Sequence, residues 1–186
     1  MSFSHSTIHS LTHSITHSIT HSFNISPVKI LITGANNAKA LKLLKAFPNH
    51  FLLLADYGEV PEMATANYAI KSLDVLNKES IAHVLLNFCI TEAIDSIIPL
   101  HEFEIEPLAK SSVLFNEYGI QVLTPPADRL VDYLPSEAGS YKNFAIFIAG
   151  ECIFASGKEI FVKQSEEING VFGYETAGDD LKLFTI

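Results

Sequence analysis

"VKILITGANNAKALKLLKAF", residues 28–47, decides how this chain is read. Its first half is a short Val, Ile and Leu run ended by Gly34, the composition of a parallel strand buried on both faces. Its second half carries Ala40, Leu41, Leu44 and Phe47 at helical spacing, with Asn36 or Asn37 as N-cap and Pro48 as the stop. A strand, a glycine turn and a helix predict the first unit of an α/β sheet.

The pattern repeats outward. "HFLLLAD" (50–56) reads as a second strand ending in Asp56, and "YGEVPEMATA" (57–66) as loop. "NYAIKS" (67–72) is a third strand, and "NKESIAHVLLNFCITEA" (77–93) is a helix with Asn77 as its cap. "IDSIIPL" (94–100) is a fourth strand. "HEFEIEPLAKSSVLFNEYG" (101–119) is a helix closed by Gly119, with Pro107 marking either a kink or the true first turn. "IQVLT" (120–124) is a fifth strand, and "PPADRLVDYL" (125–134) is a turn and a short helix. The sum is a Rossmann-like, five-stranded parallel sheet over residues 27–132 with right-handed crossovers. Residues 133–186 read as a small antiparallel β appendage: "NFAIFIAG", "ECIFAS" and "KEIFVKQ" are β-prone runs between Gly turns. The last stretch, "SEEINGVFGYETAGDDLKLFTI", is polar and turn-rich, with a weak final strand or helix.

Composition narrows the function classes. The 186 residues suffice for one good core, and 48% apolar with 18% charged residues is globular. A formal net charge of −9, with Arg129 the only arginine, argues against a nucleic-acid surface and against a polybasic membrane patch. No apolar run is long enough for a bilayer. Cys89 and Cys152, both in apolar surroundings, read as reduced core residues of a cytoplasmic protein, and no zinc spacing exists. Residues 1–26 differ from all this. His5, His9, His13, His17 and His21 recur every four residues among Ser and Thr. The expectation is a low-complexity extension, disordered or loosely docked, with adventitious metal binding or an edge strand as the alternatives.

Three constellations could carry chemistry. In "TGANNAKA" (33–40), the turn Gly34, Ala35, Asn36, Asn37 can offer backbone N–H groups to an anion, although a dinucleotide fingerprint needs further glycines. Asp56 ends strand two 22 residues after Gly34, about where a ribose-binding acid sits. That keeps an NAD(P)-binding alternative open, without the Tyr-x3-Lys pair of short-chain reductases. In "PLHEFEIE" (99–106), Pro99, His101, Glu102 and Glu104 stand past strand four as substrate contacts, or the acids simply form a charged first helical turn. Arg129 is a phosphate clamp or the partner of Asp128 or Asp132. No GxSxG elbow is present.

In order, "KILITGANNAKALKLLKAF", "LLLAD", "EAIDSIIPLHEFEIEPLA" and "YGIQVLTPPADRL" resemble the N-terminal, pre-ATP-grasp domain of ATP-grasp enzymes, close to carbamoyl-phosphate-synthase-like carboxylate–amine ligases. The resemblance covers residues 28–132. It implies that Gly34–Asn37, Asp56 and Pro99–Glu104 line an inter-domain crevice, and that Arg129 approaches a nucleotide. "EIFVKQSEEINGVFGYETAGDDLKLF" is similar to the start of an ATP-grasp domain, which implies Lys163 as a nucleotide contact and "NGVFG" as a phosphate-loop remnant. ATP with Mg is the implied cofactor, although the carboxylates for Mg²⁺ have no counterpart here. The implied function is a truncated or stand-alone ligase-like domain, not catalytically complete alone, which retains binding of a small molecule or nucleotide without turnover or is completed by a partner chain; a homodimer is the other implied partner. A third alternative is a non-catalytic assembly module that pairs through the β meander.

Overall fold

The computed structural model describes residues 27–135, 141–158, 160–176 and 180–186. The histidine repeat lies outside them.

Strand β1 (Lys29–Thr33) is the centre of a six-stranded sheet. It pairs in parallel with β2 (Phe51–Asp56) on one side and with β5 (Ser96–Ile98) on the other. Beyond β2 lies β4 (Tyr68–Ser72), also parallel, and beyond β5 lies β6 (Gln121–Val122). The sixth strand is an addition to the expected five. β3 (Met63–Ala64), read from sequence as loop, runs antiparallel along β4 as the outer edge. Its two residues are exposed, so no hydrophobic alternation marks it. The chain moves outward from β1 to β4, then returns to lay β5 against β1. The β1/β5 gap is therefore the topological switch point.

The continuous aliphatic runs arise because both faces of the sheet are covered. Ile30, Ile32, Leu52, Leu54 and Ile98 point to one face, under Ala40 of α1 (Ala38–Lys42) and Leu43 of the 3-10 turn that follows it. The expected helix over 36–47 is thus α-helical for five residues only. Asn37 is its cap, accepting the Lys39 N–H. Leu31, Leu53, Ala55 and Ile97 point to the other face, under α2 (Ile81–Thr91), α3 (Glu102–Lys110) and α4 (Ser112–Glu117). Asn77 forms a turn ahead of α2, accepting the Glu79 N–H, while Ser80 holds the cap position. The expected single helix over 101–119 is divided at Ser111; Pro107 sits inside α3. Gly119 takes the left-handed conformation at φ +73°, as a helix terminator should. The last helix, α5, is Leu130–Tyr133.

The second sheet has the order β10-β9-β7-β8, all antiparallel. β7 (Asn143–Ile148) and β8 (Glu151–Ala155) form the hairpin the sequence suggests. The other two strands correct it. Ile160–Gln164 of "KEIFVKQ" is not a strand, and Ile160 and Val162 are exposed. Instead "GVFGY" forms β9 (Gly170–Tyr174), wholly buried, and Lys182–Leu183 forms β10. Two glycines disguised β9 as a turn. Gly173 is there because a Cβ would lie 2.2 Å from the Tyr141 ring.

β7 joins the two sheets. Phe144 and Ile146, with Val171, enter the same cluster as Ile30 and Leu54 of the large sheet. Ala145 and Phe147 face the other way, with Phe172 and Tyr174, against Ile105 and Ala109 of α3 and Leu130 of α5. The strands of the second sheet therefore share a core with the α/β layer. Among the described residues, no helix is long and apolar enough to cross a membrane.

Ile146 is fully buried where the two sheets meet. Ile146→Ala should destabilise the chain by about 2–5 kcal/mol and leave one cooperative urea transition. Two separated transitions would show that the sheets do not share a core.

Candidate functional site

The carboxyl ends of β1, β2 and β5 converge, with the first turn of α3, on a buried polar cluster. Thr33 is the last residue of β1 and is completely buried. Its hydroxyl accepts the Leu100 N–H at 2.8 Å and donates to Glu104 Oε2 at 2.5 Å. The Tyr57 hydroxyl donates to the other oxygen, Glu104 Oε1, at 2.8 Å. Glu104 is completely buried as well, so both carboxylate oxygens are satisfied by side chains from the ends of β1 and β2.

Asp56, the last residue of β2, holds a second knot. Its Oδ2 accepts the Asn36 N–H at 2.9 Å, which ties the Gly34 turn to β2. Its Oδ1 accepts the Tyr57 N–H at 2.9 Å and lies 2.8 Å from His101 Nε2. The His101 ring stacks on Phe103 at 4.9 Å, and Tyr57 packs beside both. The Lys78 ammonium sits 5.4 Å from the Phe103 ring centre, within cation–π range.

The environment sets the protons. Burial pushes the Glu104 carboxyl above its ordinary range, while the Thr33 and Tyr57 donors and His101 pull it back down. Burial, and then the charge of Glu104, keep the Tyr57 hydroxyl protonated, so it remains a donor. Burial alone pushes the Cys89 thiol up to about 12, which makes it an inert core group.

The residues singled out from sequence divide into groups. Gly34, Ala35, Asn36, Asn37, Asp56, Pro99, His101 and Glu104 gather at the carboxyl-end cluster. Glu102 is exposed in the first turn of α3, and only Glu104 of the nearby acids turns inward. Arg129 is exposed and ion-paired with Asp132 at 2.8 Å, the ordinary surface outcome. Lys163 is elsewhere. It pairs with Glu151 and Glu166 at 3.6 and 3.5 Å. It lines a pocket of about 660 Å³ with Val28, His50 and Ser96, at the amino ends of the strands. "NGVFG" is not a loop either, since Gly170–Gly173 belong to β9.

Sequence alone did not give Thr33, Tyr57 and Phe103 their roles. A polar residue closing an otherwise aliphatic strand was the available signal for Thr33. Nothing signalled the last three residues. The Ile186 N–H bonds the Leu100 carbonyl at 2.8 Å, and Lys39 Nζ donates to the Thr185 carbonyl at 2.7 Å. The Ile186 side chain lies where a Cβ on Gly34 would be, 2.3 Å from that position. Gly34, at φ +80°, is needed for the turn itself. Ile186 covers the Gly34 turn, and Asp56 beside it is buried. α1, at five residues, adds little dipole there. Among the described residues, no group of three or more His, Cys, Asp or Glu is arranged to hold a metal ion.

Two outcomes follow. Thr33→Val removes the hydroxyl shared by Leu100 and Glu104 and should cost about 1–3 kcal/mol in urea unfolding. Glu104 has a raised folded-state pKa, so its contribution to stability is full at acid pH and lost as the pH rises through that pKa. Urea midpoints of the wild type should therefore fall, relative to Glu104→Gln, as the pH is raised from the ordinary carboxylate range toward neutrality. Parallel pH profiles would contradict this.

No family model matches the chain, and no curated protein matches it. Among solved structures, it is similar to a short chain dehydrogenase family protein from Francisella tularensis subsp. tularensis SCHU S4, with 14% identity and a TM-score of 0.35. That match covers 60% of this chain and 56% of the other, so the chain spans little more than half of that structure's length. The likeness is loose and says nothing of ligand or chemistry here.

Proposed function

We propose that this chain is a Rossmann-like nucleotide-binding module whose ligand lies at the β1/β5 switch point, with its ribose on Asp56. One observation carries the reading. Asp56 ends β2 and is fixed by the Asn36 N–H of the Gly34 turn, so the acid and the turn present one rigid edge. An acid there suits a ribose diol, because Oδ2 accepts one N–H and retains a second lone pair. His101, 2.8 Å from Oδ1, orients the carboxylate.

Binding in this reading requires Ile186 to leave Gly34. Ile186 is anchored by its N–H on the Leu100 carbonyl, by Lys39 on the neighbouring Thr185 carbonyl and by packing of its aliphatic side chain, and its release gives up these contacts. NAD(P) is the ligand class favoured by the position of Asp56. The ligase-like, ATP-grasp reading gains nothing from Lys163 or from "NGVFG", and is retained as the Mg-ATP arm of the test.

Titration calorimetry with NAD, NADP and Mg-ATP separates these readings. The expected result is binding of a nicotinamide dinucleotide, weakened about 10-fold or more by Asp56→Asn and strengthened by Ile186→Ala. Tight Mg-ATP binding without dinucleotide binding would favour the ligase-like reading. Failure of the wild type and of Ile186→Ala to bind any of the three would overturn both.

A further inference from the structure

A second concave site lies between α1 and the small sheet, away from Asp56 and His101. It is a pocket of about 310 Å³ walled by Lys42, Lys45 and Lys142 and by the rings of Phe144, Phe154 and Phe184. Lys42 ends α1, Lys45 lies in the 3-10 turn after it, and Lys142 immediately precedes β7. Two separate chain segments, 38–46 and the start of β7, therefore bring positive charge to one place. The chain has 12 Lys and Arg against 21 Asp and Glu, so such a gathering runs against its composition.

These lysines lack the carboxylate partners that four of the other lysines have. Lys29, Lys71, Lys110 and Lys163 each pair with a carboxylate. Among the described residues, Lys42, Lys45 and Lys142 form no ion pair. Lys39, Lys42 and Lys45 recur every three residues, so their like charges repel in the absence of an anion. Burial, and then Lys42, hold the Lys39 ammonium below its ordinary range. α1 is too short for its C-terminal dipole to account for this gathering, and Lys142 comes from another segment.

The floor of the pocket is aromatic. Phe144 stacks on Phe154 at 5.5 Å and packs on Phe184 at 5.3 Å. Phe154 is only half-buried, so part of its ring faces the pocket. Ser156 accepts the Phe144 N–H at 2.8 Å and keeps its own proton to donate. Unpaired ammonium groups around a ring-lined hollow suit a ligand that is anionic at one end and flat at the other.

We propose that this pocket binds a small molecule carrying a phosphate on a flat-ringed body, the lysines taking the phosphate and Phe154 the ring. Lysine binds phosphate as a point charge, so the affinity falls as salt is added. The site stands or falls separately from the β1/β5 crevice.

The test is titration of the full chain with AMP, adenosine and pyrophosphate at low salt. AMP is expected to bind, and adenosine to bind about 10-fold more weakly or worse. The pair Lys42→Glu and Lys142→Glu should weaken AMP binding by at least about 10-fold, and added salt should act in the same direction. The milder pair Lys42→Gln and Lys142→Gln should weaken it too, so a folding failure of the charge-reversed pair cannot decide the matter. Pyrophosphate should compete with AMP. Three results would overturn the proposal: no AMP binding at low salt, AMP binding unchanged in both lysine pairs, or AMP binding lost in Asp56→Asn and kept in the lysine pairs.

Discussion

The hydroxyl of Thr33 holds the carboxyl end of this sheet together. It is one buried group with two obligations, accepting from Leu100 just after β5 and donating to Glu104 in α3. Without it, a backbone N–H and a carboxylate oxygen would both be stranded in an apolar core, where each unmet hydrogen bond costs about 1–3 kcal/mol. Because Thr33 ends the central strand, satisfying it fixes the exit of β5 and the phase of α3 at once. The turn of α3 that turns Glu104 inward also aims Ile105 and Ala109 at the small sheet and Leu108 at the large one. Positioning of the second sheet thus follows from a polar contact at the first.

Asp56 repeats the principle one strand over. It binds the Gly34 turn, its own following residue and His101, so the ends of β1, β2 and β5 are connected through two carboxylates. Both acids are held by donors, which keeps the site rigid. What moves in this account is Ile186, which rests on Gly34.

The parallel strands were legible because burial on both faces writes uninterrupted aliphatic runs such as "KILIT" and "FLLLA". The turn and cap chemistry at Asn37 and Gly119 was legible for similarly local reasons. β9 was not, because Gly173 answers to Tyr141, a neighbour the local pattern does not reveal. β3 carries no buried face to mark it. At the site, the acids of "HEFEIE" were visible as a group, but only the helix phase distinguishes buried Glu104 from exposed Glu102. Packing of Ile186 on Gly34 joins the two ends of the described chain, and no sequence period encodes such a contact.

The central claim is that the switch-point crevice opens for a nucleotide when Ile186 leaves Gly34. The δ1-methyl resonance of Ile186, followed by NMR in isotope-labelled protein during a dinucleotide titration, reports on it directly. The account predicts that this methyl signal moves toward its solvent-exposed position in step with ligand saturation. A ligand that saturates the chain and leaves the Ile186 methyl unmoved would contradict it.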